Sequence, residues 1–177
     1  MRRLALCAVL IAFSAAPIQA AEPAFLSTTI DLGMVVTDLE KSVRFYTEGI
    51  GFKAVKGFAL PAAVADAAGL TDSKPLEVRV LSLGDGPGAT KLKLMQIAGT
   101  APRTGDNEFI HSHTGFRYLT IIVADQTAAL ARLEKMGVKP LKQSPVAIPE
   151  TTAPGGLFLT CLRDPDGNIV ELVGPKK

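Results

Sequence analysis

Apolar and polar positions alternate along this chain in two registers, and the same order of registers occurs twice. Residues 28–37, TTIDLGMVVT, form a β-branched and apolar run that predicts a strand. Asp38-Leu39-Glu40 then supplies an N-cap and an acidic first turn. Leu39, Val43 and Tyr46 or Thr47 recur at helical spacing with Glu40, Lys41 and Arg44 on the other side, which predicts a helix over Leu39–Glu48 ended by Gly49 and Gly51. GFKAV reads as the next strand. The Ala-rich insertion at residues 59–74 holds one short helix, Ala62–Ala68, closed by Gly69. LEVRVLSL (76–83) and TKLKLMQI (90–97), separated by GDGPG, predict a hairpin.

After a turn-rich segment, GFRYLTIIVA predicts a second strand, and QTAALARLEKMG predicts a helix capped by Asp125. PLKQSPVAI, LFLTCLR, the turn DPDG and NIVELVG follow. Asp38 and Asp125 stand 87 positions apart, as do Asp31 and Tyr118, whereas Gly51 and Gly137 stand 86 apart. One residue is therefore missing from the second helix. The expected fold is α+β: two tandem βαβββ modules, residues 27–98 and 115–175 with a linker at 99–114, each burying the apolar face the other exposes. Antiparallel-rich sheets of this kind curve into a cup whose inner face can hold a ligand.

Composition adds a destination. MRRLALCAVLIAFSAAPIQA has two arginines, an apolar run of about a dozen residues and small residues ending at Ala20, the build of a secretory signal over residues 1–20. The run is short for a membrane span, which needs about 20 residues. The expected product is residues 21–177, secreted or periplasmic and free of the membrane. Without Arg2 and Arg3, the 19 basic residues become seventeen against 17 acidic ones. With no basic run and no Trp, nothing points to nucleic acid as partner. Cys161, alone after Cys7 is removed, has no intramolecular disulfide partner and reads as a small buried hydrophobe.

Two stretches, VTDLEKSVRFYTEGIGF and the more specific DPDGNIVELVG, resemble the vicinal oxygen chelate superfamily, which includes glyoxalase I, fosfomycin resistance proteins, bleomycin-binding proteins and extradiol dioxygenases. The resemblance runs from about Ser27 to Pro175. It implies paired βαβββ modules with a divalent metal held between them, by ligands from the first and last strands of each module. Those positions fall on Asp31, Lys93, Tyr118 and Glu171, and only Glu171 is of the usual ligand type. A lysine ammonium has no lone pair to offer, and a phenol binds most metals poorly until it ionises. The reading is therefore a site without the family's metal or other cofactor, a divalent metal being the alternative.

Period two places Met95 on the face of Lys93 and Thr120 on the face of Tyr118, and both join the ligand-binding candidates. The expectation is a small, partly apolar molecule bound in the cup. One alternative is a glyoxalase-like lyase or isomerase, with Glu171 as base and Lys93 or Tyr118, or a metal, stabilising an oxyanion. A second is a non-catalytic interaction module that pairs or recruits through the 59–74 insertion, which reads equally as a lid; the resemblance also leaves a homodimer open. A salt bridge with a hydrogen-bonding Tyr, binding nothing, is the bland reading of the same four residues. His111 and His113 read as a solvated linker pair rather than the start of a metal site.

Overall fold

Asp38 and Asp125 start the two main helices as the sequence predicts. Asp38 Oδ1 accepts from Lys41 N at 2.9 Å, and Asp125 Oδ1 accepts from Thr127 N and Ala128 N at 2.9 and 3.2 Å. The computed structural model describes Phe25 and residues 27–149 and 151–177, so the expected signal at 1–20 lies outside the described residues. The first module runs β1 (Leu32–Val35), α1 (Leu39–Arg44), β2 (Lys53–Leu60), α2 (Ala62–Ala67), β3 (Leu76–Leu83) and β4 (Thr90–Met95). The second runs β5 (Tyr118–Ile122), α3 (Gln126–Lys135), β6 (Val146–Ala147), β7 (Phe158–Arg163) and β8 (Ile169–Gly174).

Each module forms one four-stranded sheet, ordered β1-β4-β3-β2 and β5-β8-β7-β6. The first strand of each lies parallel to the last, and the remaining pairs are antiparallel. β6 is only two residues long because Pro145 and Pro149 bracket it and neither has an N–H for the ladder.

The missing residue of the second helix has a structural counterpart. α1 does not stop at Glu48; it passes into a π-helical turn, Phe45–Ile50, before Gly51 reverses the chain at φ 112°. A π turn accommodates one extra residue in a helix, whereas α3 reaches Gly137 at φ 76° without one.

The modules share one core. Phe45, Tyr46 and Ile50 of the π turn meet Ala129 and Leu133 of α3, and these pack on Leu81, Leu92 and Leu94 of the first sheet and Ile121, Leu162, Val170 and Leu172 of the second. Each module thus covers apolar area the other would expose, worth about 25 cal/mol per Å² buried. The DPDG turn also joins the modules. Asp164 accepts from the buried Tyr46 hydroxyl at 2.9 Å, and Asp166 accepts from the amide and hydroxyl of Thr37. Burial, with the Asp164 carboxylate alongside, pushes the Tyr46 phenol well above its ordinary value, so it stays a donor.

Candidate functional site

Strand alternation leaves each sheet a second face, turned away from α1 and α3. In the first module Leu92 and Leu94 enter the shared core, so Lys91, Lys93 and Met95 take the opposite face. Lys93 Nζ lies 2.9 Å from Asp31 Oδ2, and each side chain is 33% exposed. The hydrogen bond from Lys93, reinforced by the charges of Lys93 and Lys91, holds the Asp31 carboxyl below its ordinary value. A carboxyl lowered in the folded state contributes stability above its ordinary value and loses it as pH falls through the lowered one. Lys93→Met should therefore move the Asp31 midpoint upward, toward that of a free carboxyl, in an NMR titration of the side chain.

Met95 lies on the face of Lys93, as its spacing predicts. It packs with Leu60 and Ile97 against Ala65, Leu76, Val78 and Val80, a second apolar cluster roofed by α2. The 59–74 insertion therefore covers part of this face of the first sheet, with Ala65 fully buried. Asp66 steadies the loop after α2 by accepting from Ser73 N and Oγ at 3.0 and 2.9 Å.

In the second module Thr120 and Glu171 are direct partners on the parallel β5–β8 ladder, and Thr120 Oγ1 donates to Glu171 Oε2 at 2.7 Å. The same rung in the first module pairs Gly33 with Lys93. With no side chain at position 33 to hold it, Lys93 turns to Asp31, while the Thr120 hydroxyl fixes Glu171. The four family positions are therefore not bonded into one cluster. Among the described residues, no hydrogen bond or ion pair joins Asp31 or Lys93 to Tyr118 or Glu171. The Asp31–Lys93 pair lies within one module and does not hold the two in register. Tyr118 is about half exposed and pairs on the ladder with Ile169.

Glu171 opens onto a cavity of about 600 Å³ that the sequence reading did not place. Its floor is the face of β7 and β8 turned away from α3, formed by Leu159, Cys161, Arg163, Ile169 and Glu171; its walls are Leu141–Ser144 with Val146 and the linker residues Glu108–His111. Residues 99–114 read as a linker because they are polar and turn-rich, yet two arginines pin them against the sheet. Arg163 donates to the carbonyls of Asn107 and Gly167 at 2.6 and 2.7 Å and of Glu108 at 3.1 Å. Arg117 donates to those of Asp106, Phe109 and Ile110 at 2.8, 3.2 and 3.1 Å. On the other side, Leu141 N donates to Cys161 O at 2.7 Å.

Phe109 and His111 stack with ring centroids 5.5 Å apart, so His111 belongs to this wall, and both histidines lie in turns rather than on a strand. Burial, then the nearby Glu171 charge, raises the Cys161 thiol, which is half-buried. Among the described residues no three His, Cys, Asp or Glu side chains are grouped so as to hold a metal ion.

The arrangement of paired sheets has known counterparts. A glyoxalase family protein from Bacillus cereus superposes with a TM-score of 0.68 over 89% of this chain and 99% of that one, at 17% identity. A glyoxylase/bleomycin resistance protein/dioxygenase domain from Frankia sp. gives 0.53 over 86% and 95%, at 22% identity. A glyoxalase I mutant from Zea mays gives 0.60 at 20% identity, with 84% of this chain matching 46% of that one. At such identities the likeness is one of fold. No curated protein sequence matches the chain. A family model covering residues 28–172 does match, from ahead of β1 to within β8, and by that match the chain belongs to the Glyoxalase/Bleomycin resistance protein/Dioxygenase superfamily.

Proposed function

We propose that the protein is exported and binds a small, partly apolar molecule without the divalent metal its family implies. The observation that carries the reading is the cavity on the second module. About 600 Å³ lies within the size range of sites for small organic molecules, and apolar side chains with a few polar groups line it. The donor set supports the metal-free part: Lys93 presents an ammonium already committed to Asp31, and Glu171 is a single carboxylate. The build of residues 1–20 supports export. The lyase or isomerase alternative needs Lys93, Tyr118 or a divalent metal facing an oxyanion beside Glu171. Lys93 is engaged on the other sheet and the donor set is poor for a metal, which leaves Tyr118 alone to serve an oxyanion, so binding without turnover is the favoured reading.

A thermal-shift screen of small aromatic and keto compounds tests it. A ligand at ten times its Kd should raise the midpoint by about 4 °C in a domain of this size. Leu159→Trp, which fills the cavity from its floor, should abolish that shift while the protein stays folded. A screen without stabilising compounds would sink the binding reading, and one equivalent of tightly held zinc, nickel, manganese or iron in purified protein would sink the metal-free one.

A further inference from the structure

We propose that the cavity selects organic cations, molecules with an apolar or aromatic body and a protonated amine, and that Glu171 is the counter-charge. The inference rests on the binding reading above and names the class of ligand. Glu171 projects from the middle of β8 onto the floor, between Cys161 and Thr120 on the neighbouring strands. Its Oε2 is taken by the Thr120 hydroxyl, while Oε1 accepts no hydrogen bond from a described residue. No nitrogen of a described Lys, Arg or His lies within 4.0 Å of it. The Glu171 carboxylate lines the cavity with one oxygen open to it, and a charged donor on a ligand meets such an oxygen best.

The cations around the cavity do not supply that donor. Arg163 lines the floor, but its two terminal nitrogens are spent on the carbonyls of Asn107, Gly167 and Glu108. Lys142 is exposed on the loop at the rim, where water screens it. Glu108, equally exposed at the rim, offsets Lys142, and the Phe109 ring, stacked on His111 by one face, adds an aromatic surface to the wall.

The chain contains no Trp, so naphthyl fluorescence can be read without an indole background. Three probes of matched size separate the outcomes: naphthylethylamine as cation, naphthylethanol as neutral isostere and naphthylacetate as anion. The amine should bind about tenfold tighter than the alcohol, toward the lower end of what a charge-assisted hydrogen bond supplies, and the acetate weakest. Glu171→Gln should bring the amine down to about the alcohol's affinity, with the alcohol losing much less than the amine; Glu108→Gln should preserve most of the amine preference. Equal binding of amine and alcohol, tightest binding of the acetate, or loss of the preference in Glu108→Gln alone would overturn the assignment while the cavity reading stands. If none of the three binds, the cavity reading fails with it.

Discussion

Asp164→Ala should lower the stability of the protein by about 3 to 5 kcal/mol, the range for removing one partner of a buried, hydrogen-bonded charge. In a domain of this size that lowers the thermal midpoint by about 10 °C. The carboxylate accepts four bonds: from the Tyr46 hydroxyl at 2.9 Å, Asp166 N at 3.0 Å, Asn168 N at 2.8 Å and Asn168 Nδ2 at 2.9 Å. Its loss opens the turn between β7 and β8 and strands a phenol that is 0% exposed in the shared core. Tyr46→Phe should cost less, about 1 to 2 kcal/mol, because Asn168 still satisfies the same carboxylate oxygen. The double variant should fall short of the sum by about 1 kcal/mol, since both changes delete one bond between the modules. Urea unfolding measures all three, and an Asp164→Ala protein within 1 kcal/mol of the parent would mean that the turn closes a hairpin and does no more.

That turn illustrates how far the sequence can be read. DPDG is legible as a turn because Asp, Pro and Gly each suit one by a local mechanism. Its grip on Tyr46 spans 118 positions and leaves no local trace. The caps, the hairpin and the repeat are likewise local or periodic, and they agree with the structure. Even the π turn left a sign, in the offset that drops from 87 to 86 between the caps and the closing glycines. The cavity wall left none: residues 106–110 look like solvated loop, and only Arg117 and Arg163, reaching backbone carbonyls, make them a surface. Asp31, Lys93, Tyr118 and Glu171 were found by resemblance. Their bonding was set by a detail that resemblance does not carry, Gly33 in one module where the other has Thr120.

Gln126→Leu should cost about 2 to 4 kcal/mol although it makes a core residue more apolar. Gln126 opens α3, where a glutamine ordinarily faces water, yet it is fully buried. Its Nε2 donates to Phe158 O and Leu172 O at 2.6 and 2.7 Å, and its Oε1 accepts from the buried Thr160 hydroxyl at 2.6 Å. Leucine fills the volume but leaves that hydroxyl and both amide-bonded carbonyls short of a partner, at about 1 to 3 kcal/mol for each group truly orphaned. Thr160→Val in the same background removes the stranded hydroxyl and should restore about 1 kcal/mol, with the denaturant slope unchanged in both variants.

The first module uses a glutamine differently. There Val36 N donates to Met95 O at 2.9 Å, as Val123 N does to Val173 O at 2.8 Å in the second. The residue after Met95 is Gln96, whose amide donates to Thr37 O at 2.7 Å and accepts from Leu39 N at 3.2 Å, tying strand to helix. The corresponding residue after Val173 is Gly174, where an added Cβ would stand 2.1 Å from Val123 O, so no side chain fits. With that position closed, the strand-to-helix tie is made by the backbone, Gln126 N donating to Pro175 O at 2.8 Å, and the Gln126 amide, where the first module has Leu39, binds the carbonyls of β7 and β8 instead. If Gln126→Leu proves neutral, the backbone bond to Pro175, the Asp125 cap and apolar packing are enough to hold α3.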